Sequence, residues 1–165
     1  MPAPLLRAAL PNARSRLRAG CAVVSFPYLY CDGLWPLAPH KSRVDGGAAV
    51  RAELARGASE ARLTRALLAG TLDVGLRARF EASLAELRAR EAATSVRGIA
   101  DYVEARVASE RVFHTQNHPA TGVLLRVAQG VLRALELAPL DERALAARGV
   151  GENDARLPGQ WPPSV

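Results

Sequence analysis

Arg111-Val-Phe-His-Thr-Gln-Asn-His-Pro-Ala-Thr-Gly-Val-Leu-Leu-Arg-Val127 changes character in its middle, and that change fixes how the chain is read. Its first half crowds His114, Thr115, Gln116, Asn117 and His118 together ahead of Pro119. Its second half opens an apolar stripe at helical spacing, through Val123, Leu124, Val127, Val131, Leu132 and Leu135. A residue before proline is pushed out of the α region, so His118 is expected to be extended. Pro119 then suits the first helical position. Arg111-Val-Phe113 is too short for more than an extended link or edge strand. A long helix is therefore expected after Pro119, with a dense polar cluster at its N-terminus.

The same periodicity recurs upstream. Gly46-Gly47 opens short helices at 48–56 and from Ser59 to Leu68, stopped by Gly57 and Gly70. Thr71 or Asp73 is expected to cap a longer helix to Ala92, striped by Leu76, Phe80, Leu84 and Leu87. Its charged residues, Glu81, Glu86, Arg88 and Arg90, fall mainly on the other faces. Thr94 or Ser95 should cap a helix striped by Val96, Ile99, Val103 and Val107, with Asp101 and Glu104 solvated. Weak periodicity runs over 4–19, and a last short helix over Asp141–Arg148. Cys21-Ala-Val-Val-Ser-Phe26 reads as a buried strand ended by Pro27. The segment from Phe26 to Leu37 holds two prolines and four aromatics, Phe26, Tyr28, Tyr30 and Trp35. It is an ordered loop with a turn at Asp32-Gly33, its aromatics packed on the core in preference to a ligand. The expected fold is mainly α: one helical domain with one or two short strands.

Composition limits the function. The chain has 165 residues, 49% hydrophobic and 23% charged, which supports one globular domain. Its net charge of +6 raises nucleic acid as a partner. The basic residues are nearly all arginines set along helical patterns, Lys41 being the only lysine, and aromatics are 5%. That favours solvated helix faces over a nucleic-acid surface. No apolar run approaches a membrane span. Cys21 and Cys31 read as reduced core thiols. Before Asp32 there is no acidic residue, while Arg7, Arg14, Arg16 and Arg18 are present. That resembles a transit peptide in charge, but an ordinary arginine-rich N-terminus is the favoured reading. His40, in a Pro-rich loop, is expected to be exposed.

In the polar cluster, the amides of Ala120, Thr121 and Gly122 would point from a positive helix end at an anion or oxyanion. His114 and His118 could act as base or acid, and Asn117 could donate to an oxyanion or fix an imidazole. A turn-and-cap role, with Asn117 closing an Asx turn, explains the residues equally well. A metal centre is disfavoured, because only two ligands are in sight and Pro119 opposes a helix under His114 and His118.

Phe113-His-Thr-Gln-Asn-His-Pro119 resembles the Phe-x-Thr-x-Asn-His-Pro signature of the WcbI-type capsular polysaccharide biosynthesis family. Phe26-Pro-Tyr-Leu-Tyr-Cys-Asp-Gly-Leu-Trp-Pro36 is similar to that family's Phe-Pro-Asn-Leu-Tyr-Phe-x-Gly-x-x-Pro segment, and Pro162-Pro-Ser-Val165 to its ending. The resemblance runs from about residue 22 to the end. It implies a cytoplasmic bacterial acetyl- or acyltransferase of polysaccharide synthesis, with coenzyme A or acetyl-CoA as product or substrate and a saccharide acceptor. By position it implies catalytic roles for His118 and Asn117 and coenzyme contacts for Thr115 and Tyr30; His114, where the family varies, and Thr121, at the helix start, are also expected at the coenzyme. A homo-oligomer is compatible with it. Family members begin with a strand and a Gly-Asn-Cys-Gln turn that this sequence does not contain. The expectation is therefore a single domain over 1–165 that lacks this opening, the remainder of a mostly helical α/β protein. The alternative is a non-catalytic fragment or helical binding module that keeps the fold without the chemistry.

Overall fold

The computed structural model describes residues 16–35 and 47–150. Most of the expected 4–19 helix, His40 and the closing Pro-Pro-Ser-Val lie outside these residues. In chain order the described elements are α1 (Gly47–Ala55), α2 (Glu60–Leu68), α3 (Leu76–Ala92), α4 (Ile99–Arg106), β1 (Phe113–Thr115), β2 (His118–Pro119), α5 (Thr121–Ala134) and α6 (Glu142–Ala146). The fold is mainly α, with one two-stranded antiparallel sheet among the described residues.

The core lies where α3, α4 and α5 meet. Leu84 and Leu87 of α3 pack with Ile99, Ala100 and Val103 of α4 and with Val123 and Val127 of α5. The stripes predicted for α3 and α4 are the buried faces, including Val96 and Val107 beyond the ends of α4, with Phe80 half-buried at the edge. In α5 the buried face is narrower than predicted. Val123 and Val127 are inside, but Leu124 and Leu135 are 49% and 36% exposed. Gly130 explains how α5 comes so near. A Cβ there would sit 2.5 Å from the Val96 side chain, so this glycine is a close-packing point.

Several boundaries differ from the sequence reading, each for a local hydrogen-bond reason. Ser59 caps α2 as expected, accepting the Arg62 amide, and Asp141 caps α6. The α3 helix starts later than expected, at Leu76, because Asp73 accepts the Gly75 amide at 2.8 Å and closes a turn first. Thr94 and Ser95 do not cap α4. The amides of Ser95 and Val96 both go to the Ser25 carbonyl at 3.0 Å, so the chain cannot yet turn helical. The helix begins at Ile99, and its cap comes from the preceding helix. The buried Glu91 carboxylate accepts the Ile99 amide and, at 3.0 Å, the Ala100 amide.

The buried strand expected over Cys21–Phe26 is not formed. Residues 21–23 are exposed, and the backbone is held by Ser25 against Ser95 instead of by a neighbouring strand. The buried positions come later, at Pro27, Leu29 and Cys31, so Cys31 is a core thiol and Cys21 is not. The segment from Ser25 to Trp35 is an extended strap across α3. Its Asp32-Gly33 turn closes where the Trp35 amide donates to the Asp32 carbonyl at 3.0 Å. Gly33 lies directly on the α3 backbone. A Cβ there would meet the Phe80 Cα at 2.4 Å, so no other residue fits.

The charged residues of α3 are only partly solvated. Arg88 is exposed, as expected, and bridges Asp101 and Glu104 of α4. Arg90 is half-buried and donates to the Tyr28 and Tyr30 carbonyls at 2.9 and 3.0 Å. Arg79 and Ser83 are buried under the strap. Ser83 donates to Asp32 at 2.6 Å and Arg79 to the Trp35 carbonyl at 3.2 Å. No helix among the described residues is long and apolar enough to cross a membrane.

Candidate functional site

The polar cluster folds as a tight hairpin. Phe113 pairs with Pro119 and Thr115 with His118, with a register irregularity between Phe113 and Thr115, and Gln116-Asn117 forms the turn. Phe113 anchors it in the core. His118 is extended, as its place before Pro119 requires. Pro119 is not the first helical residue. The Ala120 amide donates to the Val112 carbonyl at 3.0 Å, which keeps the chain extended, so Ala120 is the N-cap and Thr121 starts α5. Of the three amides expected to be free, Ala120 is therefore engaged. Those of Thr121 and Gly122 make no hydrogen bond with the described residues. The Tyr102 hydroxyl rests against Gly122, where a Cβ would approach it to 2.7 Å.

Cross-strand pairing puts the side chains of Thr115 and His118 on one face. Thr115 Oγ1 contacts His118 Nδ1 and donates to Asn117 Oδ1 at 3.1 Å. A threonine has one hydroxyl hydrogen. With that hydrogen on Asn117, the contact to His118 takes its hydrogen from the imidazole. In the Nδ1–H tautomer His118 donates to this hydroxyl, and Nε2 carries the lone pair. All three side chains face solvent.

The structure thus brings together His118, Asn117 and Thr115, with Thr121 at the helix start that follows. His114 does not join them and lies beside Arg111, Nδ1 3.5 Å from its guanidinium. Tyr30 is also apart. Its hydroxyl is shielded from solvent and has no hydrogen-bond partner among the described residues. Its pKa is raised by burial and then by the Asp32 carboxylate, with Tyr28 and Glu86 adding to the rise and Arg79 opposing it. Cys31 is displaced by burial to a pKa of about 11, which leaves a quiet neutral thiol near neutrality.

Sequence reading missed what holds the hairpin. The Cys31 amide donates to the Gln116 carbonyl at 2.8 Å, joining the strap to the turn. Arg90, Asp32, Ser83 and Arg79 hold the strap in turn. The signal was available: Arg79, Ser83, Glu86 and Arg90 repeat the spacing of Phe80, Leu84, Leu87 and Glu91 one residue earlier, a second and polar stripe on α3. Three or more His, Cys, Asp or Glu residues do not converge on a metal-sized site among the described residues.

These features define a mainly helical protein in which an aromatic strap is tied to a His–Thr–Asn hairpin at a helix start. The profile of the family described as polysaccharide biosynthesis enzyme WcbI matches residues 8–140. The chain belongs to that family, and its role lies in polysaccharide biosynthesis. The match begins earlier than residue 22 and takes in both the strap and the hairpin, while the closing Pro-Pro-Ser-Val lies outside it. No curated protein and no solved structure matches the chain.

Proposed function

We propose that the chain transfers an acyl group from coenzyme A to a hydroxyl of a saccharide, with His118 as general base. The observation that carries the reading is the Thr115–His118–Asn117 arrangement on the exposed hairpin, in which Thr115 Oγ1 touches both Asn117 Oδ1 and His118 Nδ1 and leaves Nε2 outside these contacts. In this reading Nε2 takes the proton of the attacking hydroxyl as its oxygen bonds to the thioester carbonyl. The resulting oxyanion is met by the Asn117 amide group and the Thr121 and Gly122 amides. Collapse breaks the C–S bond, and the departing thiolate takes the proton from the imidazolium. Neither cysteine carries the acyl group: Cys31 is buried and neutral, and Cys21 is not part of the hairpin.

Calorimetric titration with coenzyme A, and transfer of labelled acetyl from acetyl-CoA to bacterial capsular polysaccharide, test this. His118→Ala is expected to keep coenzyme binding and lower transfer by about 10²–10⁴-fold, the range for a lost general base. Thr115→Ala should lower transfer less and alter its pH profile, because the tautomer is no longer fixed. Absence of coenzyme binding by the unaltered chain would remove the proposal. A non-catalytic saccharide-binding module is the second reading, favoured by the burial of Cys31 and the lack of a cysteine in the hairpin. It expects full saccharide binding and no transfer.

A further inference from the structure

Arg79 and Ser83 stand one turn apart on α3, and both reach the closing turn of the strap. Ser83 Oγ donates to Asp32 Oδ1 at 2.6 Å. Arg79 donates to the Trp35 carbonyl at 3.2 Å, and its guanidinium lies 4.0 Å from Asp32 Oδ2. The turn from Asp32 to Trp35 is therefore gripped at both ends by successive turns of one helix. Asp32 is only 4% exposed. Polar groups at that depth cost desolvation that an apolar contact would not. What they add is direction. An apolar strap could slide along α3, whereas the Ser83–Asp32 hydrogen bond is made in one register only.

The hairpin needs such a fixed point. Its strands have three and two residues, too few to hold a geometry alone. Phe113 fixes its base in the core. At the other end, the backbone hydrogen bond that ties the turn to the rest of the described residues runs from the Cys31 amide to the Gln116 carbonyl, 2.8 Å. Cys31 directly precedes Asp32, and Gln116 stands between Thr115 and Asn117. The register of the strap on α3 is thus handed to the turn that carries Thr115, Asn117 and His118.

We infer that Asp32 and Ser83 are positioning residues for His118. Their buried hydrogen bond sets the register of the strap, and the Cys31–Gln116 hydrogen bond carries that register to the Thr115–His118 contact. The inference takes His118 as the reacting group from the reading above, but the positioning does not depend on which group is transferred.

The test uses amide hydrogen exchange and long-range ¹H–¹⁵N spectra of the histidine rings, both on the full chain. In Ser83→Ala the Cys31 amide should exchange about tenfold faster, while the Leu87 and Val127 amides keep their rates. The His118 ring-nitrogen pattern should change in the same protein, which a purely structural role for Ser83 would not bring about in a chain that stays folded. Asp32→Asn, whose amide oxygen still accepts from Ser83, should keep both the Cys31 protection and the His118 pattern. A His118 pattern unchanged in Ser83→Ala overturns the inference, whatever the Cys31 amide does, and leaves the acyl-transfer reading standing. If Ser83→Ala does not fold, the unaltered protein decides. Its Trp35 amide, which closes the strap turn, and its Cys31 amide should then open together, and a Trp35 amide that opens while Cys31 stays protected overturns the inference. A His118 pattern that depends on Ser83 in a chain that does not bind coenzyme A upholds the inference and removes only the acyl-transfer reading.

Discussion

Cys21 and Cys31 are ten residues apart and meet opposite environments. Cys21 is exposed, while Cys31 is 1% exposed on the buried face of the strap. Burial moves the Cys31 thiol from 9.0 to about 11. The folded state therefore holds the proton more tightly than the unfolded chain. Its contribution to stability is complete below pH 9 and is lost as pH rises through 11. Two units correspond to at most about 3 kcal/mol. Melting between pH 8 and pH 11 should show a fall that Cys31→Ala reduces, and equal slopes in both proteins would contradict the burial. At the same scale, His118 gains its tautomer from a threonine and an asparagine that are its neighbours in sequence. The sequence made that cluster visible, but not which partner each side chain takes, because that depends on the hairpin register.

The elements show how far periodicity carries and where it stops. The apolar stripes of α3 and α4 were legible because a buried helix face needs them at that spacing. The start of α4 was not, because its cap lies on another helix. Glu91→Ala should cost about 1–3 kcal/mol by leaving the Ile99 and Ala100 amides buried without an acceptor, measured by urea unfolding. The buried strand expected over Cys21–Phe26 is absent, and burial begins one segment later, in the strap that was expected as an ordered loop. Cys21–Phe26 has strand-like composition, yet what fixes the chain is the tie of Ser25 to Ser95 and the contact of Gly33 with α3. Gly33→Ala should destabilise by about 3 kcal/mol, the upper part of the overpacking range, because the obstacle is backbone. A loss below 0.5 kcal/mol would mean that the strap lifts easily. The strap and the hairpin were each readable as motifs. Their joining through Cys31 and Gln116 is a backbone hydrogen bond, on which side-chain patterns are silent.

Across the whole molecule, burial is uneven. The core belongs to α3, α4, α5, the strap and the hairpin, while α1 buries no residue and α2 only Leu63. Amides of α1 and α2 should exchange hydrogen faster than those of α3 to α5, and equal protection would contradict this division. On the helices Arg56, Arg77, Arg88 and Arg106 pair with nearby carboxylates. The strap and hairpin thus lie on the part of the molecule best able to hold a geometry. Long-range ¹H–¹⁵N correlation spectra of the His118 imidazole, recorded free and with coenzyme A, test the central claim most directly. The account predicts an Nδ1–H pattern in the free protein, a loss of that preference in Thr115→Ala, and a shift of the His118 ring nitrogens when coenzyme A is added. An Nε2–H pattern, or His118 signals unmoved by saturating coenzyme A, would contradict it.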